Sequence, residues 1–120
     1  TGWDAHMVSF YDADGNIAEL IARHTSNNAS DKPFDRHSLL NVSEIGIAAS
    51  NVPQCVSHLK QQTGVSEYGT SGDAFAPIGD EQGLFIVVSE GREWAPETGL
   101  TAEHVPIGVV LEDGVQLSFP

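Results

Sequence analysis

Phe10-Tyr11-Asp12-Ala13-Asp14-Gly15-Asn16-Ile17-Ala18-Glu19-Leu20 is the stretch on which the fold of this chain turns. Before it, His6–Tyr11 is a run with strand propensity, and after Asn16 a second run covers Ile17–Ala22. The five residues between them are rich in Asp, Asn and Gly, the side chains that tolerate a tight reversal, so the stretch reads as a β-hairpin. Ala18, Glu19 and Leu20 are also helix formers, but the turn in front of them decides for a strand. Strand alternation then puts Ile17, Glu19 and Ile21 on one face, where Glu19 reads either as a solvated hairpin residue or as a carboxylate with a partner, since an idle charge between two isoleucines would be costly.

Working outward, residues 24–41 are polar and without a period, and they read as a linker. Pro33-Phe34 and Leu39-Leu40 are its candidate anchors. Val42–Ala49 alternates, with Ile45, Ile47 and Ala49 on one face and Val42, Glu44, Gly46 and Ala48 on the other. Asn51 has the chemistry of a helix cap and Pro53 belongs in the first turn. Val52, Cys55, Val56 and Leu59 fall at helical spacing, Lys60 sits in the last turn, and Gly64 stops the helix. Strands follow at Ala74–Ile78 and Leu84–Ser89. A last hairpin pairs Val105–Leu111 with Val115–Phe119 across Glu112-Asp113-Gly114. The loop 91–96 between them carries one large aromatic, Trp94. The hairpin around Asp12 and the one around Asp113 echo each other as strand, acidic turn, strand, which suggests one unit's closing hairpin followed by a whole second unit.

The Phe10–Leu20 run resembles the closing motif of the vicinal oxygen chelate superfamily, which includes glyoxalase I, extradiol ring-cleaving dioxygenases and bleomycin and fosfomycin resistance proteins. The family pattern is an aromatic, Asp-Pro-Asp-Gly-Asn, two residues, then Glu-Leu; here Ala13 stands in place of Pro. Ser43–Val52 is similar to the opening strand of a family module leading into its helix. The resemblance implies an α+β fold of βαβββ units: residues 1–23 as the closing hairpin of a preceding unit, 24–41 as linker, and 42–120 as one βαβββ module. Two such units pair so that their curved sheets enclose a cleft. A partner unit would come from upstream sequence or from a second copy of the chain, so a homodimer is expected.

The resemblance also implies chemistry. Family enzymes hold a divalent metal on His and carboxylate ligands, and the metal binds two substrate oxygens. The family's closing-hairpin ligand is the Glu four residues after the turn Gly, which is Glu19 after Gly15. The opening-strand ligand is usually His, and its place is taken here by Glu44, seven residues before Asn51. Four residues after Gly114 stands Ser118, a poor ligand for these metals. Glu19 and Glu44 are thus the candidate ligands, for Mn, Fe, Ni or Zn. Glu44 shares its face with Gly46 and Ala48, which suits a small-molecule cleft and equally suits a solvated edge strand. No catalytic residue is assigned.

The chain has 120 residues, room for one modest domain, and a formal net charge of -12 from 17 acidic and 5 basic residues. That balance argues against nucleic acid and against an anionic membrane surface. The longest apolar run, Leu84–Val88, is far short of a membrane span. The single cysteine, Cys55, excludes an internal disulfide and reads as a small hydrophobe on the helix. A lone thiol and no charged-then-apolar leader fit a cytoplasmic setting. The chain starts at Thr1 and its one methionine is Met7, so it reads as processed or as a piece of something longer. Of the histidines, His6 could approach Glu19 across the hairpin or sit as a strand-end residue in water. His24 and His37 read as exposed linker residues, His58 as solvent-facing on the helix, and His104 as a residue that could line a cleft mouth. Trp94 reads as a loop anchor or as a surface on which a ligand stacks.

Two functions are expected from this. One is a glyoxalase- or dioxygenase-like lyase or oxygenase that uses a divalent metal on a small molecule. The other is a non-enzymatic small-molecule-binding or dimerisation module of the same superfamily that has lost its metal site.

Overall fold

The structure is a computed structural model that describes residues 4–95 and 97–120. Pro96, counted above in the Trp94 loop, lies outside the described residues. The chain forms two compact units, Thr1–Leu40 and Asn41–Pro120.

The first unit is the hairpin and the polar stretch after it. Strand β1 (Ala5–Tyr11) pairs antiparallel with β2 (Ile17–Arg23), in a register that sets Tyr11 opposite Ile17 and Ser9 opposite Glu19. The turn is built around one carboxylate. Asp12 accepts hydrogen bonds from the backbone N–H groups of Asp14 (2.9 Å) and Asn16 (2.8 Å) and from the Asn16 side-chain amide (3.1 Å). These bonds hold the Asp12 carboxyl below the ordinary carboxylate range, the Asn16 side chain contributing most. Gly15 completes the reversal at φ 83°, a left-handed conformation that favours glycine. Beyond β2, a short 3-10 turn (Arg36–Ser38) is capped by Asp35, whose side chain accepts from the His37 N–H at 2.8 Å. The anchors expected in this stretch are not buried: Phe34 is 70% exposed, Leu39 58% and Leu40 67%. No described residue of the first unit is buried.

The second unit is a mixed α+β assembly. Its elements are β3 (Glu44–Ala49), α1 (Val52–Thr63), β4 (Phe75–Asp80), β5 (Gly83–Ser89), β6 (Ile107–Val110) and β7 (Gln116–Phe119). A three-stranded sheet has the order β3-β5-β4, with β3 parallel and β4 antiparallel to β5. Strands β6 and β7 pair with each other as a separate antiparallel sheet. Pro77 is tolerated inside β4 because that strand lies at the sheet edge.

Element bounds differ from the sequence reading where backbone chemistry intervenes. Val42 is 89% exposed and precedes β3. Strand β6 starts only after Pro106, which has no N–H to give a ladder. The β4–β5 turn is tighter than its sequence suggests. Asp80 accepts from the N–H groups of Gln82 (2.8 Å) and Gly83 (3.2 Å), and Gly79 sits at φ 124°.

Helix α1 follows its expected punctuation. Asn51 accepts from the Gln54 N–H at 3.0 Å, and Gly64, at φ 72°, donates its N–H to the Lys60 carbonyl. Its apolar side, Val52, Val56 and Leu59, packs on Ile47, Ile78, Phe85 and Val87 of the three-stranded sheet and on Leu117 and Phe119 of β7. Leu59, Ile78 and Val87 are fully enclosed, and burying each such side chain stabilises the fold by roughly 1.5–3 kcal/mol. Cys55 lies at the margin of this core, where burial pushes its thiol pKa up. Among the described residues, no helix is long and apolar enough to cross a membrane.

Candidate functional site

The opposite face of the three-stranded sheet carries Glu44, Gly46 and Ala48 from β3, because alternation sends Ile45, Ile47 and Ala49 to the core. Their neighbours on β5 are Leu84, Ile86 and Val88, and Phe75 and Pro77 lie beyond on β4. A looped segment crosses this face. It is closed by backbone bonds from Gly91 N to Ala102 O (2.8 Å), from Ala102 N to Arg92 O (2.7 Å) and from Trp94 N to Leu100 O (2.9 Å). Ala102 packs with Ala48 and Val88 into a second, smaller core, with Phe75 and Ile86 at its border. The Arg92 guanidinium lies 4.8 Å from the centre of the Phe75 ring, a cation–π contact.

Trp94 takes its place from Gly46. A Cβ at Gly46 would lie 2.7 Å from Cη2 and 2.9 Å from Cζ3 of the indole. The ring therefore rests on the one β3 position that has no side chain, and it remains 38% exposed. The small polar face expected around Glu44 is thus an apolar face partly roofed by Trp94 and Ala102, with half-buried Glu44 at the start of β3. It offers an aromatic surface for stacking and a carboxylate on the same face.

Glu19 has a different setting. It is exposed on β2 and accepts from the Ser9 hydroxyl at 3.2 Å across the hairpin. The pairing places Met7, Tyr11, Ile17 and Ile21 on its face. Glu19 belongs to the first unit and Glu44 to the second. Ser118 is exposed on β7 opposite Gly108.

The approach of His6 to Glu19 is corrected by the register. His6 stands opposite Ala22, on the other face of the hairpin from Glu19. Its partner is His24: His6 Nδ1 is 2.6 Å from His24 Nε2, and the rings meet edge to face with centroids 4.5 Å apart. His24 Nδ1 in turn is 2.5 Å from Asp4 Oδ1. His24 is exposed, as expected, but it stands at the end of the hairpin ladder and not in a linker. Counting outward from the Asp12 turn would have found the set, since His24 donates its backbone N–H to Asp4 O and so extends the ladder. His104 Nε2 meets the Pro120 carbonyl at 2.7 Å, and His58 is exposed on α1 as expected. Among the described residues, no three His, Cys, Asp or Glu side chains are placed so that all could hold one metal ion.

A shallow cleft of about 260 Å³ lies between α1 and residues 67–76 and is lined by Pro53, Val56, Lys60, Glu67, Ser71 and Ala76. Lys60 and Glu67 are paired across it at 3.1 Å, which leaves little charge there for an anion to find. No family model matches the chain, and no curated protein matches it.

Proposed function

We propose that this chain is a glyoxalase/dioxygenase-superfamily protein of the βαβββ type that binds a small molecule against the Glu44–Gly46 face of its three-stranded sheet. The observation that carries the reading is the seat of Trp94 on Gly46, which fixes an indole with its outer part accessible on the same sheet face as a carboxylate. In this reading Trp94 stacks on an unsaturated ring and Glu44 accepts from a hydroxyl or amine donor of the ligand. The test is thermal stabilisation by a panel of small aromatic and oxygen-rich molecules, with and without EDTA. A ligand that raises Tm in the presence of chelator, with the gain lost in Trp94→Ala and reduced in Glu44→Gln, supports it. Stabilisation that survives both substitutions overturns it.

A metal-dependent lyase or oxygenase of the same superfamily is the second reading. It is favoured by the presentation of Glu19 between Ile17 and Ile21, with Ser9 holding the carboxylate across the hairpin. Glu19 and Glu44 would then serve as carboxylate ligands to Mn, Fe, Ni or Zn. Metal content after loading and removal of excess, compared between the native chain, Glu19→Gln and Glu44→Gln, tests it. A homodimer belongs to both readings. The exposed apolar side chains of the hairpin, Val8 at 66% and Phe10 at 47%, support it, and light scattering at micromolar concentration decides it.

A further inference from the structure

The Asp4–His24–His6 relay points to a second site, on the hairpin face away from Glu19: we infer that it binds a divalent transition-metal ion of the class imidazole takes, with zinc as the test ion. The hairpin register assembles it. Asp4 lies opposite His24 at the end of the ladder, and His6 follows two residues along the same face. Ala22, the residue opposite His6, is small and leaves the two rings room to meet.

The protons fix the tautomers. The Asp4 carboxylate only accepts, so His24 Nδ1 carries the hydrogen of the 2.5 Å bond. A neutral His24 then turns its Nε2 lone pair toward His6 Nδ1, 2.6 Å away. A carboxylate holding one imidazole nitrogen, so that the ring and the lone pair of the other nitrogen are fixed in direction, is the outer-shell support that a zinc-ligating histidine has. With both rings neutral and no ion bound, the His6 Nδ1 proton stands between the two rings. On binding, that proton moves to His6 Nε2 through water, no net proton is lost, and the ion takes its place between His24 Nε2 and His6 Nδ1. Zinc–nitrogen bonds of about 2.0–2.1 Å in tetrahedral geometry need the nitrogens about 3.3 Å apart. Reaching that separation, and turning each lone pair off the line between the two nitrogens onto the ion, requires both rings to rotate, and both are exposed. Asp4 stays outside the ligand set as the group that orients His24, and water completes the coordination. Two protein ligands make an open site, so binding is moderate and readily reversed.

The test is isothermal titration of the whole chain with zinc, set beside imidazole carbon–proton NMR spectra. The expected result is about one zinc bound, with Kd raised at least about tenfold in His6→Gln and in His24→Gln and about ten- to a hundredfold in Asp4→Asn. Glu19→Gln should bind zinc at this site as the native chain does, which separates it from the Glu19 reading above. In the native chain, zinc should shift the ring resonances of His6 and His24 and leave those of His58 and His104 in place, a readout that does not depend on a variant folding. Unmoved His6 and His24 resonances, or zinc affinity unchanged in both histidine variants, overturns the inference. Zinc lost in Glu19→Gln and kept in the histidine variants overturns it as well and supports the metal reading of Glu19.

Discussion

Trp94 and Gly46 are matched to each other: the indole occupies the space that any other residue at position 46 would fill, with 2.7 Å from the missing Cβ to the ring. Gly46→Ala should therefore lift the ring off the sheet. A destabilisation of about 1–3 kcal/mol is expected, typical of overpacking. Urea unfolding measures it. The Trp94 emission, read in a Trp3→Phe background, should shift to the red as the ring becomes more exposed. A Gly46→Ala chain with unchanged stability and emission would show that the indole has no fixed seat.

Gly79 presents a harder constraint. At φ 124° its added Cβ would lie 2.1 Å from the Gly83 carbonyl oxygen, which is backbone and cannot swing away. Gly79→Ala should cost at least about 1–3 kcal/mol through backbone strain alone. Leu59→Ala, at a position with no exposure, should cost about 2–5 kcal/mol. Both losses should appear in the same cooperative transition, followed by circular dichroism in urea.

Asp12 makes the hairpin turn depend on pH. Its folded pKa lies below the ordinary carboxylate range, so the unfolded turn binds its proton first as pH falls. The stabilisation is present in full above the unfolded value and is lost as pH falls through the folded one. Amide exchange at Asn16, whose N–H the Asp12 carboxylate holds at 2.8 Å, should quicken in that acid window. In Asp12→Ala it should be fast at neutral pH. An Asn16 amide equally protected in both chains would remove the carboxylate from the turn.

Cys55 should be a slow thiol. Burial raises its pKa, so the folded state favours the neutral form. The associated stability is present below the unfolded pKa and fades as pH rises through the folded one. At pH 8 its reaction with a disulfide reagent should be slower than that of an unstructured cysteine, and urea should abolish the difference. Equal rates with and without urea would contradict its place beside the core.

What could be read in advance was set by short-range chemistry. The Asp12–Asn16 turn, the Asn51 cap and the Gly64 stop depend on neighbours within a few residues, and each is where the residues place it. The alternation of Ile45, Ile47 and Ala49 likewise named the core face of β3. The candidate site was less legible because its parts come from distant segments. Nothing local in Gly46 announces that Trp94 will lie on it, and the face around Glu44 reads as small and polar until the 91–102 segment is laid across it. The anchors expected at Phe34 and Leu39 fail for the complementary reason: an apolar side chain states a preference for burial but does not supply the surface to be buried against.

Among the described residues, the buried side chains lie between Ile47 and Phe119, and the hairpin unit contributes none of them. Substitutions along β1 and β2 escape the filter that foldability imposes on a core strand. What constrains Glu19, His6 and His24 is then whatever they bind, and drift at these positions between related chains would report on chemistry with little interference from packing.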